Sequence, residues 1–197
     1  MAIWGAVLLA AWIYVSGDVP QPAGVLAPSE PRQVNITERT WERGGVRYTA
    51  LAQFDAYARV LSTNHYYFDG QADLSPVDLA LGWGTMSDSD VLARLKVSQS
   101  NRFYFWRARV GEPLRIAMAE ISSHSANMHM IPEDDKVKEV LLSVRPGELV
   151  SFGGYLVRVE KPGGWTWKTS LSRTDTGAGA CEVVWVKDIV RKGKGAD

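Results

Sequence analysis

From residue 46 onward the apolar positions of this chain change period several times, and each change predicts an element. In "PEDDKVKEVLLSVRPG", Val137, Val140, Leu141 and Val144 fall at i, i+3, i+4 and i+7 behind a proline and three acids. That spacing gives one apolar stripe, and acids at the start complement the helix dipole. A helix is predicted, closed by Pro146-Gly147. "SPVDLALGWG" has Ser75 as N-cap, Pro76 at the first helical position and Asp78 at the acid of a capping box, before Gly82 and Gly84; it reads as a short helix. "SDSDVLARLKV" repeats that signature with Ser87 and Asp90, burying Val91, Leu92 and Leu95. The heptad-like stripe Leu114, Met118, Ile121, Ser125, Met128 predicts that "PLRIAMAEISSHSANM" is helical, with His124 and Asn127 along one side.

Elsewhere the period drops toward two. "ELVSFGGYLVRVEK" alternates Val150 and Phe152, then Tyr155, Val157 and Val159 after Gly153-Gly154, so the buried face switches at the glycines as in a β-bulge. "SNRFYFWRARV", "GGWTWKTSL" and "CEVVWVKDI" are further strands, the last two separated by the turn-rich "SRTDTGAGA". "YTALAQFDAYARVL" fits a helix through Leu51, Phe54, Ala58 and Leu61 and a strand through Tyr57, Arg59 and Leu61; its Tyr, Phe and Val content favours the strand. The expected fold is α+β: short capped helices packed on an antiparallel C-terminal sheet that can curl into a small barrel. One globular domain is expected over residues 46–192, with a flexible tail at 193–197.

Ahead of it, Ala2 to Val15 is an uncharged apolar run, shorter than the ~20 residues that span a bilayer comfortably and suited to a secretory h-region. Residues 1–17 therefore read as a signal peptide or membrane anchor. No basic residue precedes Arg32, so the usual cationic start of a leader is missing. Residues 18–45, with Pro20, Pro22, Pro28 and Pro31, read as a proline-rich spacer and lead-in. The expected location is the cell envelope, on the periplasmic side of the inner membrane or exported, with membrane contact through the N-terminal segment.

Composition narrows the function classes. The chain has 197 residues, 46% of them hydrophobic, and 22 Lys plus Arg balance 22 Asp plus Glu. It can bury a core, and no overall field draws it to nucleic acid. Arg102, Arg107 and Arg109 interleave with Phe103, Tyr104, Phe105 and Trp106 in the manner of a single-strand nucleic-acid platform, but zero net charge favours a solvated strand face with snorkelling arginines. Cys181 is the one cysteine, so no internal disulfide forms.

Four segments, "LSPVDLALGWGTMSD", "SQSNRFYFW", "HSANMHMIP" and "RTDTGAGACEVVWV", behind an apolar N-terminus, resemble an uncharacterised family of bacterial exported or membrane-anchored proteins. The resemblance spans about residues 46 to 190 and implies a bacterial origin. It carries no assigned reaction, ligand or cofactor.

Two constellations carry chemistry. Cys181 with His124 or His129 as base, and Asp175 or Asn127 as orienting group, has the residue types of a cysteine hydrolase or transferase, and the glycine-rich "TDTGAGACE" offers backbone N–H groups for an oxyanion. Against this, Cys181 opens the apolar alternation Cys181, Val183, Trp185 of a buried strand. His124 and His129 are about 140° out of phase on a helix and opposed on a strand, so they make a poor metal pair, and no cofactor is expected. "HSANMHMIP" reads better as a polar knot bonding backbone near a helix end. The second constellation is aromatic: Trp165, Trp167, Trp83 and Trp106 are candidates to stack on a glycan or anchor an envelope protein, the alternative being core filling. The sequence as a whole points to a binding or assembly module, with the Cys/His enzyme as the runner-up.

Overall fold

The structure is a computed structural model that describes residues 17–172 and 181–192. The chain is predominantly β. Seven strands form one mixed sheet in the order β1-β2-β3-β6-β9-β7-β8: β1 Arg32–Arg43, β2 Val46–His65, β3 Val77–Gly82, β6 Ser125–Pro132, β7 Leu149–Glu160, β8 Thr166–Lys168 and β9 Glu182–Lys192. Two more, β4 Leu95–Ser100 and β5 Phe103–Ala108, make a separate hairpin. The helices are short: a 3₁₀ turn at Gly84–Ser87, α1 Ser89–Leu92, α2 Met118–Ser123 and α3 Asp135–Ser143.

This corrects the α+β expectation. The C-terminal strands do not form their own antiparallel barrel-like sheet; β9 enters the large sheet between β7, antiparallel, and β6, parallel. The long β2 pairs with β1 and β7 along its first part and with β3 from Arg59 to His65. Central strands buried on both faces read as continuous apolar runs without alternation. That is why "VDLALG", buried at all six positions, is β3 and not the expected helix. The stripe through "PLRIAMAEISSHSANM" is likewise cut short: the helix ends at Ser123, and β6 begins at Ser125 with seven of its eight residues buried.

The strongest local signals hold. α3 forms where its periodicity placed it, with Asp134 as N-cap accepting from the Val137 amide at 2.8 Å. α1 also forms, but it is four residues long with none buried, Asp88 is its N-cap, and Leu95 opens β4 instead of extending the helix; the Ser87 hydroxyl accepts from the amides of Leu26 and Ala27.

Register irregularities let one strand serve two cores. β2 gives Val46 and Tyr48 to one cluster and, after an irregularity between Ala50 and Ala52, gives Ala52, Phe54, Ala56, Ala58 and Val60 to the other. On the β7–β9 seam the register shifts between Gly153 and Gly154, the glycine pair that marked a bulge in the sequence. A Cβ at Gly154 would run into the carbonyl oxygen of Trp185, so only glycine lets the strands close there. One core packs Met128, Met130, Phe152 and Val184 with Val137 and Leu141 of α3. The other is aromatic, with Tyr48 and Trp185 beneath Trp41, Trp165 and Trp167.

The proline-rich lead-in does not run free. The Val19 amide donates to the Pro146 carbonyl at 2.8 Å, the Gly84 amide to the Ala27 carbonyl at 2.8 Å, and the Ser89 hydroxyl to the Pro22 carbonyl at 2.7 Å. Ala27 is fully buried. The apolar run read as a leader or anchor lies at residues 1–16, outside the described residues, as does the tail at 193–197. Among the described residues no helix is long and apolar enough to cross a membrane, so the transmembrane reading finds no support in them.

Candidate functional site

The hairpin turn is where the chain concentrates its polar chemistry. Asn101 and Arg102 both have positive φ, +51° and +68°, and Ser100 pairs directly with Phe103. This is the two-residue turn that suits strand twist, usually made by Asn-Gly. A non-glycine residue at the second position is strained by roughly 1–3 kcal/mol, and the strain persists because Arg102 is held from every side. Its guanidinium bonds Asp69 through Nε and Nη2, both at 2.8 Å, and Asp78 and the Ser75 carbonyl through Nη1 at 2.8 and 2.9 Å. It also lies 3.6 Å from the Tyr66 ring centre, a cation–π contact. Burial works against the Arg102 charge, but the Asp69 bonds and the charges of Asp78 and Asp69 outweigh it, and its pKa is raised. The Arg102 hydrogen bonds in turn hold the Asp69 carboxyl below its ordinary value.

β6 grips the same turn. Asn127 donates from Nδ2 to the Arg102 carbonyl at 3.0 Å and accepts from Gln99 Nε2 at 2.7 Å. His129, two residues on and so on the same strand face, is 3% exposed. Its Nδ1 is 3.0 Å from Asp78 Oδ2, yet the pair is out of line and makes no aligned hydrogen bond. Trp167 covers the imidazole, ring centres 4.6 Å apart. "HSANMHMIP" is therefore a polar knot, but one built on a strand that clamps a hairpin and not at a junction between helices.

The other candidates are dispersed. His124 caps α2, accepts no strand role, and sits against Gly84, its Nδ1 3.0 Å from the Glu120 carbonyl. Cys181 is half-buried ahead of β9, its Sγ 3.9 Å from the Arg102 carbonyl. No hydrogen bond or ion pair joins Cys181 to a histidine among the described residues. Asp175 lies outside them. An Asp–His pair resembles part of a catalytic triad, but a base needs its nucleophile within hydrogen-bond reach. No described hydroxyl or thiol bonds His129. Among the described residues no three His, Cys, Asp or Glu side chains cluster as metal ligands.

Of the four tryptophans, Trp83 is 2% exposed in the core, and Trp106 packs half-buried against Met86, Leu95 and Ile121. Trp165 and Trp167 lie 6.0 Å apart, half-buried on the aromatic cluster. The outward aromatics are others: Phe68 at 99% exposure, Tyr67 at 70%, Phe105 at 54% and Phe103 at 39%. Phe103 and Phe105 point away from the body, while Tyr104 and Trp106 alternate inward. The Arg102–Asp69 pair brings the Tyr67-Phe68 loop to the same end of the hairpin. The alternation was legible in "RFYFW", but the sequence did not say which half faced out.

No family model matches the chain, and no curated protein or solved structure matches it either.

Proposed function

We propose that this chain is an exported binding module of the bacterial cell envelope, and that its partner is another envelope protein seated on the outer face of the β4–β5 hairpin. The observation that carries the reading is the exposed row Phe103 and Phe105, with Tyr67 and Phe68 beside the turn. Solvent-exposed aromatics grouped at one end are a costly surface unless a partner covers them. Phenylalanine has no polar edge for sugar hydroxyls, so a protein suits this face better than a glycan. Among the described residues neither outer edge of the hairpin pairs with another strand, leaving backbone donors and acceptors for an incoming segment. Arg107, on the same face of β5 as Phe103 and Phe105, favours an acidic rim on the partner. Export rests on the apolar run Ala2–Val15 and the bacterial resemblance.

The test is capture from native envelope with the full chain and with the double variant Phe103→Ser/Phe105→Ser, whose side chains are outside the core. The expected result is a protein retained by the wild type and lost by the variant at unchanged melting temperature. Identical capture by both, or retention on glycan that free sugar displaces, overturns the proposed partner. Fractionation of the native full chain is expected to find it outside the cytoplasm, and recovery in the cytosol overturns export.

A further inference from the structure

A second surface, separate from the aromatic row, has the features of a built anion site. A cleft of about 390 Å³ opens where β2, β4, α1 and the fastened lead-in meet. Its walls are apolar: Val60, Leu61, Leu92, Leu95 and Val97, with Pro20 and Pro146 across from them. Its charged lining is Arg59, Lys96 and Arg109 against a single acid, Asp18.

Arg59 is the unusual member. It is 8% exposed, and among the described residues no carboxylate forms an ion pair with it. Its Nη1 donates to the Ser87 carbonyl at 3.1 Å and to Ser89 Oγ at 2.7 Å, two neutral acceptors. Its Nε is buried without a hydrogen-bond partner, while Nη2 is not closed off and makes no hydrogen bond among the described residues. A guanidinium N–H that keeps access while its neighbours are closed off takes one oxygen of a carboxylate in a charge-assisted hydrogen bond. A buried cation left half-satisfied is expensive, and burial lowers the Arg59 pKa despite the charges of Asp88 and Asp18. Lys96 and Arg109, exposed at the mouth, add attraction without an ion pair of their own among the described residues.

We infer that this cleft binds a small carboxylate with a short apolar body, the carboxylate on Nη2 of Arg59 and the apolar part along Leu61, Leu92 and Val97. The volume falls within the range of small-ligand pockets. An acyl chain and the C-terminal end of an apolar peptide share this chemistry.

Isothermal titration of the full chain with octanoate, N-acetyl-leucyl-leucine, octanol and inorganic phosphate tests it. Octanoate or the dipeptide binds saturably, and the one that binds identifies the source; octanol and phosphate do not. Arg59→Met abolishes binding. Because Arg59 also supports Ser87 and Ser89, the exposed double variant Lys96→Glu/Arg109→Glu serves as the folded control, weakening the carboxylate by about tenfold or more. Octanol binding as well as octanoate, phosphate binding in place of both carboxylates, no carboxylate binding, or an affinity untouched by the charge reversal each overturns the inference. Phe103→Ser/Phe105→Ser leaves carboxylate affinity unchanged, so this site and the hairpin partner fail separately.

Discussion

Asn127 illustrates how much one buried amide can carry in this chain. Removing its side chain takes from Gln99 the shorter of its two bonds, leaving the one to the Asp78 carbonyl, and leaves the Arg102 carbonyl with the weak thiol contact alone among the described residues. Asn127→Ala is expected to lower stability by about 1–3 kcal/mol, the cost of leaving a buried polar group unmet. A drop in the urea midpoint at unchanged slope checks it; an unchanged midpoint removes the clamp from the account of stability. Glu148 gives a second residue-scale test. Burial pushes its pKa up, but hydrogen bonds from Arg191 and from the Arg145 amide outweigh this and hold it below the ordinary 4.5. Between the folded and unfolded values the unfolded chain takes up a proton that the folded chain refuses, so stability rises with pH there. The contribution is full above 4.5 and is lost as pH falls through the depressed folded value. Unfolding measured from neutrality into acid shows this limb, and Glu148→Gln flattens it.

Elements were legible where local chemistry and tertiary burial agree. α3 has a cap, a stripe and a stop, and nothing in the fold contradicts them. β3 has a helix signature, Ser75-Pro76 with Asp78, that serves other ends. The Ser75 hydroxyl bonds the Val77 carbonyl, and Asp78 is the carboxylate of Arg102. Burial from both sides erased the alternation that would have marked the strand. The clamp itself was half visible: the sequence singled out Asn127 and His129, but Arg102 joins them through a turn whose second residue carries no glycine. The Gly153-Gly154 pair was legible because a change of face leaves a trace in the pattern. Gly154→Ala is expected to destabilise by at least the ~1–3 kcal/mol of core overpacking, since its Cβ meets rigid backbone, whereas Gly70→Ala, in open space, leaves the melting temperature unchanged. Equal effects from the two would show that the β7–β9 seam tolerates a side chain.

At the scale of the molecule, the lead-in is part of the fold. A chain beginning at Gly17 retains the bonds of Val19, Pro22 and Ala27 to the body; one beginning at Arg32 loses them and uncovers the 3₁₀ turn and α1. The shorter chain is expected to melt lower, and calorimetry of the two compares them directly. Equal melting temperatures would return residues 17–31 to the role of a passive spacer. The parallel seam between β6 and β9 has a consequence for the order of synthesis. β9 is made last of the sheet strands, yet it fills the place between β6 and β7. Until residues 182–192 emerge, both neighbours hold an open edge and each core lacks part of its packing, so a growing chain has little to gain from settling early. A chain ended at residue 181 is therefore expected to leave the sheet open between β6 and β7, with both cores short of the side chains that β9 brings.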